Sequence, residues 1–264
     1  MVVTWAILRR PCFNPDMRKG GWLFLGLLAL AGAEACLPLR SRRRARAERW
    51  AVNAAVAALA GITSSALVAP LVKAARVDRG WLQRLGLPAP VEAVATLALL
   101  DASYYGWHRL NHASALLWRF HRAHHADPDL DVTTALRFHP AEVGLSAIFR
   151  TLQTLVIQPR EEIAAIYDLM FRGATLFHHS NLRLPERLDD TLALAIVTPR
   201  FHGIHHSEQA AQAGSRFSVL CSVWDRIFGT LSPDVPPATV VIGAPGDSPA
   251  EANAIRDVLL DPFS

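Results

Sequence analysis

The sequence predicts an all-α protein, folded as a multi-span integral membrane helical bundle. Three observations lead there. Hydrophobic residues make up 51% of the 264 residues and the mean hydropathy is +0.20, which is apolar for a water-soluble domain. Apolar runs of about bilayer length alternate with arginine blocks and Pro/Gly breaks. All 11 histidines fall between His108 and His206, beside the ends of those runs.

The elements follow in chain order. Arg9, Arg10, Arg18 and Lys19 precede an apolar run, 21–39, interrupted only by Glu34. A signal peptide is the alternative, but basic residues continue after the run and no small-residue cleavage site follows it. The run therefore reads as a first span. The block 40–49 holds Arg40, Arg42, Arg43, Arg44, Arg46 and Arg49; such a block resists translocation and marks the cytoplasmic face. Residues 50–72 read as a second span with Trp50 at its interface, and 73–90 as a connector. Residues 91–107 form a third run ending in Tyr104, Tyr105 and Trp107, an aromatic belt. Two crossings separate the arginine block from His108, so parity returns His108 to the cytoplasmic side. Runs 141–158 and 163–177, broken by Pro159 and Arg160, read as a hairpin that enters the bilayer and returns. Parity then puts 178–206 on the face that carries 108–125. Arg150 sits within the first arm of the hairpin, and a turn near Arg160 brings it level with about residue 171. Asp168 lies one helical turn away, so an Arg150–Asp168 pair is expected, with Arg172 as the like charge to avoid. Residues 1–90 thus form a basic segment and transmembrane hairpin, 91–231 a histidine-rich catalytic domain, and 232–264 a peripheral tail.

Composition excludes some classes. The formal charge of +4 comes almost wholly from arginine, with Lys19 and Lys73 the lysines. The positive blocks flank apolar runs and lack the interleaved aromatics that bind nucleic acid, so no nucleic-acid partner is expected. Cys12, Cys36 and Cys221 make neither a disulfide framework nor a thiolate metal motif.

The histidines carry the chemistry. His108-Arg-Leu-Asn-His112 is an HxxxH; residues four apart share a helical face, so both imidazoles can reach one ion. His121-Arg-Ala-His124-His125 and His202-Gly-Ile-His205-His206 repeat an HxxHH spacing that sets all three rings over one face. His139 and the pair His178-His179 lie between. One such motif is more often core than ligand, but three on one face imply metal. Eight or nine imidazoles exceed what one ion takes, so two ions are expected. Imidazole suits Fe, Zn, Cu and Ni alike. No cluster contains the Glu of HExxH, which speaks against hydrolytic zinc, and two redox ions beside a lipid-facing cavity suit O2 chemistry on an alkyl chain. Asp101, Asp127, Asp131 and Asp225 are candidates to orient the ring N–H groups, with solvated loop acids or helix caps as the alternative.

These stretches, with Leu117-Trp-Arg-Phe-His121, Arg137-Phe-His139-Pro140, His179-Ser-Asn-Leu-Arg-Leu-Pro185, Thr198-Pro-Arg-Phe-His202 and Trp224-Asp-Arg-Ile-Phe-Gly-Thr230, resemble the fatty acid hydroxylase / sterol desaturase superfamily. The resemblance runs from about Asp101 to Thr230, with a fainter match at Leu259-Leu-Asp-Pro-Phe263. It implies a multi-pass membrane oxygenase with a cytoplasmic-facing histidine site, in a bacterial inner membrane or, in a eukaryote, the endoplasmic reticulum. It further implies two iron ions (Fe2+), with O2 as co-substrate, oxidising a lipid, whether sterol or fatty acyl, by hydroxylation or desaturation. Carried over residue by residue, the ligands are His108, His112, His121, His124, His125, His179, His202, His205 and His206. His139 is a near-site residue, and His178 a substitute ligand or a bystander. Where the family usually has Asn-Tyr/Phe-Gly, this chain has Gly214-Ser-Arg-Phe-Ser218, so the loop there departs from the pattern. No fused haem-binding HPGG stretch is present, so electrons come from a separate ferredoxin or cytochrome-type protein, for which Arg122, Arg200 and the arginine block could attract an acidic carrier. The rival reading is a non-catalytic metal-binding membrane sensor or transporter. It predicts ionisable groups throughout the spans, whereas Glu34, Glu92, Asp101, Arg150, Asp168 and Arg172 are few and several lie near helix ends.

Overall fold

The structure, a computed structural model, describes residues 15–76, 80–246 and 254–263. Arg9, Arg10 and Cys12 lie outside the described residues. Among those described the protein is helical, and extended pairing is limited to isolated bridges such as Ile196 with Cys221.

Helix α1 (Pro15–Cys36) stops short of Pro38, whose ring cannot sit inside a helix. Helix α2 (Arg46–Thr63) passes through a π-turn, Ser64–Val68, into α3 (Ala69–Ala74). Pro70 has no N–H to give to the preceding turn, and the wider π-turn lies directly ahead of it. By length and composition this continuous stretch, Arg46–Ala74, is long and apolar enough to cross a membrane, and little of it is buried inside the protein. Gly20–Cys36 is a shorter apolar helix. After a single turn, α4 (Trp81–Arg84), comes α5 (Ala89–Ala113), started by Pro88 and Pro90. Helix α5 runs past the expected apolar run to carry His108 and His112. Ser114 then breaks the chain and caps α6 (Ala115–His125), its hydroxyl accepting from the Leu117 N–H. The hairpin appears as α7 (Pro140–Ile157) and α8 (Glu161–His179), with Gln158 left-handed at φ 50° ahead of Pro159. Shorter helices follow: α9 (Glu186–Ala193), α10 (Pro199–His205), α11 (Ala210–Ala213), α12 (Val223–Ile227) and α13 (Ile255–Leu260).

The long helices pack so that all their histidine-side ends coincide. Arg49 at the start of α2 pairs with Asp127 and Asp131 beyond α6, at 2.7 and 2.6 Å. Glu34 near the end of α1 accepts from the Val132 and Asn181 N–H groups. The arginine block and the histidines therefore share one end of the bundle, as parity predicted. At the opposite end Arg160 in the hairpin turn pairs with Glu92 of α5 at 2.7 Å, Arg76 pairs with Glu161, and the Trp81 indole donates to the Val156 carbonyl. Between the ends the outer surface is apolar: Trp22, Phe24, Ile62, Val94, Ile148, Val156 and Ile166 are exposed. Exposed apolar surface on this scale marks a membrane or partner contact.

Within 232–264, expected as a peripheral tail, the described residues 232–246 and 254–263 include side chains that pack into the histidine end. Val240 and Ile242 pack with Leu130 and Ile204, and Val258 packs with Val56 and Ala123.

Candidate metal centre

Nine histidines converge in two adjoining groups. His108 and His112 of α5, His121 and His125 of α6, and His205 of α10 form the first; His124, His179, His202 and His206 form the second. Within each group the candidate ligand nitrogens all lie within 4.8 Å of one another. These are the nine positions that the resemblance nominated. The HxxHH motifs act differently from expectation. Residues four apart share a group, His121 with His125 and His202 with His206, while the middle histidine goes to the neighbour. At 100° per residue, offsets of three and four fall on opposite sides of the first ring's direction, so one motif serves both groups.

Ring orientation shows what the groups need. The His108 Nδ1–H donates to the Phe217 carbonyl at 2.8 Å and the His205 Nδ1–H to the Ser215 carbonyl at 2.7 Å. A carbonyl only accepts, so Nε2 of each neutral ring carries a lone pair. Those two Nε2 atoms face each other at 3.0 Å. The second group repeats the pattern: His124 and His179 donate through Nδ1 to the Arg137 and Thr175 carbonyls, and their Nε2 atoms stand 3.0 Å apart. Protonation does not relieve this. Burial pushes the His205 imidazole down to about 3 and holds His124, His125, His202 and His206 well below the usual imidazole range. Facing lone pairs repel, and a cation between them removes the conflict. Nitrogens about 2 Å from one ion and at right angles sit about 3 Å apart. The buried Nε2 atoms of His112, His121 and His125 also have no hydrogen-bond partner among the described residues. The donor set fits two transition-metal ions.

The carbonyl acceptors explain the supporting motifs. Asp225 accepts from the Phe217 and Ser218 N–H groups at 2.8 and 3.0 Å and from the Thr230 hydroxyl at 2.6 Å. The Trp224–Thr230 stretch thus fixes the loop whose carbonyls hold His108 and His205, with Arg216 left-handed at φ 56° between them. Asp101 accepts from the Trp224 indole and the Cys221 N–H. Asp127 and Asp131 are taken by Arg49, Asn53, Trp50 and Thr133. Among the described residues none of the four hydrogen-bonds a histidine ring, against the expectation that they orient them. Their carboxylates are committed to arginine, indole and backbone donors, and they hold the segments that hold the rings. Among the described residues the carboxylate that does reach a ring is Glu142, whose Oε1 lies 2.7 Å from His121 Nδ1. It was missed, although it stands three residues beyond His139 in the first turn of α7, where an acid is placed to face the site.

His139 caps α7, accepting from the Ala141 N–H at Nδ1, with Nε2 near the Leu259 carbonyl. Both nitrogens are occupied away from the groups. His178 is buried with its ring centroid 4.2 Å from that of His202, and its Nδ1 has no hydrogen-bond partner among the described residues; it lies outside both groups. Arg122 is paired with Asp261, and Arg200 with Asp189 and Asp190, so neither offers a carrier the bare charge expected of it. A cavity of ≈570 Å³ opens onto both groups at His108, His121, His124 and His202, with Trp107, Phe138, Val143 and Phe171 along its walls.

Comparison with known proteins agrees with the geometry. Residues 93–230 match the family model described as fatty acid hydroxylase. The chain is 29% identical over 138 residues to an alkylglycerol monooxygenase of Danio rerio, covering 51% of this chain and 29% of that protein. It is 28% identical over 133 residues to the human alkylglycerol monooxygenase, covering 50% and 28%. An ornithine lipid hydroxylase of Rhizobium tropici is 26% identical over 177 residues, covering 67% of this chain and 52% of the relative. The chain thus spans about half or less of the length of these relatives. No solved structure matches it.

Proposed function

The chain belongs to the fatty acid hydroxylase family, and from that premise we propose that it is a multi-pass membrane di-iron oxygenase that hydroxylates or desaturates a lipid C–H bond. The carrying observation is the five-plus-four division of nine histidines whose lone pairs face each other, at the head of an apolar cavity. His108, His112, His121, His125 and His205 would hold one iron, and His124, His179, His202 and His206 the other. When bound, the two ions supply reductive activation of O2 for hydrogen removal from an unactivated carbon.

The residues of the chain do the rest. The four backbone carbonyls and Glu142 engage Nδ1 of His108, His124, His179, His205 and His121, which leaves Nε2 of those five rings to face the ion. Trp107, Phe138, Val143 and Phe171 position a hydrocarbon chain against the histidines and keep water from them. The exposed apolar belt and the Arg46–Ala74 stretch support a bilayer setting, with the arginine-rich histidine end cytoplasmic. Relatives named for an alkylglycerol and an ornithine lipid support a lipid substrate. Electrons reach the site from a separate ferredoxin or cytochrome-type protein.

The test is O2 uptake by the iron-loaded chain, given a reductant system and a lipid extract, with products read by mass spectrometry. A hydroxylated or desaturated lipid is expected. Iron bound without O2 uptake under these conditions would favour a sensor or transporter.

A further inference from the structure

Two apolar chambers meet at one wall. The first is the ≈570 Å³ cavity that reaches the histidines; the second, of ≈550 Å³, is lined by Leu23, Phe24 and Leu27 of α1 and by Ala57 and Ala60 of α2. Arg150 and Arg172 line both. Arg150 is satisfied: its guanidinium meets Asp168 at 2.6 Å and the Tyr104 hydroxyl at 3.2 Å. Arg172 stands one turn beyond Asp168 on α8 and is exposed, yet no hydrogen bond or ion pair engages it among the described residues. The acid that its helix offers is already taken by Arg150. The wall therefore carries two guanidiniums against one carboxylate. It lies in the middle of α7 and α8, where their outer faces are apolar and an uncompensated charge is most costly in a bilayer.

We propose that Arg172 is the binding site for the anionic group, carboxylate or phosphate, of a lipid whose hydrocarbon chain extends through the first chamber to the histidines. One negative charge brought by the ligand balances this wall. Along α8, seven residues separate Arg172 from His179, about 10 Å at 1.5 Å per residue. The anchored group thereby sets which carbon along the chain stands before the metal ligands. The inference rests on the reading of that chamber as the lipid site.

Equilibrium binding to the metal-free full chain in detergent at pH 8 tests it, with hexadecanoate, hexadecyl phosphate and hexadecan-1-ol as probes. Wild type should bind the better anionic probe about 10-fold tighter than the alcohol, the size of a charge-assisted hydrogen bond. Whether carboxylate or phosphate binds tighter identifies the source of the anionic group. Arg172→Gln should erase the preference and leave alcohol binding unchanged, and Arg172→Lys should keep part of it. The Tm of Arg172→Gln should not fall, because no protein partner is lost. Equal binding of all probes by wild type, a preference that survives Arg172→Gln, or a lower Tm in that variant would overturn the proposal. Binding is read without metal, so the two readings fail separately. Anionic preference without O2 uptake by the iron-loaded chain leaves the anion site standing and sinks the oxygenase; lipid turnover without preference does the reverse.

Discussion

The histidine end and the middle of the bundle handle polar groups in opposite ways. At the histidine end charges are dense, buried and mutually committed: Arg49, Asp127, Asp131, Arg137 and Asp225 are all essentially inaccessible, and the carboxylates among them hold arginine, indole, hydroxyl or backbone donors. In the middle, polar side chains are sparse: the Arg150–Asp168 pair is partly exposed, at 20% and 35%, and Arg172 lies beside it. The first arrangement makes a stiff frame that presents nitrogens to ions. The second leaves a largely apolar space with a few charges, which under the proposed function suits a hydrocarbon ligand.

The largest effect is expected from the ligands themselves. His124→Ala and His205→Ala each remove one imidazole from a different group and no outer apolar surface, so each should reduce lipid turnover to background with the protein still membrane-bound; wild-type activity in either would show that the groups are not the centre. Next comes the frame. Arg49→Ala strands Asp127 and Asp131 as buried charges, and loss of one partner from such a network costs about 3–5 kcal/mol, read as a large fall in Tm; a loss under about 1 kcal/mol would mean the frame is not held by charge. Glu142→Ala should weaken iron binding by about 10–100-fold, the usual scale for a residue that orients a metal-bound histidine, with little change in Tm; unchanged iron affinity would remove Glu142 from that role. The smallest effect belongs to the middle. A double-mutant cycle of Arg150→Leu and Asp168→Leu should show coupling of about 1 kcal/mol, given the exposure of both groups, and additive losses would rule out the pair as a stabilising contact.

Much of this was legible in the sequence because it rests on side-chain identity and period. The apolar runs gave the long helices, and the count of those runs placed the arginine block and the histidines at one end of the bundle. The offset of Arg150 and Asp168 from the turn at Arg160 gave their pairing. What was not legible rests on backbone. The partners of His108, His124, His179 and His205 are carbonyls, and a carbonyl leaves no mark on residue type. For that reason the departure at Gly214–Ser218 changes side chains and still supplies the Ser215 and Phe217 oxygens. The four aspartates misled for a related reason: composition shows that an acid is present but not that an arginine some 80 positions away has claimed it, as Arg49 claims Asp127. In the tail, Pro and Gly signal irregular backbone, and residue type does not show that an apolar side chain on such backbone finds a core, as Ile242 does.

The number of ions that nine histidines hold decides between a one-ion and a two-ion centre. Elemental analysis of the purified full chain, expressed with ample iron and freed of loosely bound metal, measures it. Two groups with converging nitrogens predict about two iron atoms per chain, since nine imidazoles exceed the capacity of one ion. A reproducible single iron atom, or none, would contradict the two-ion centre.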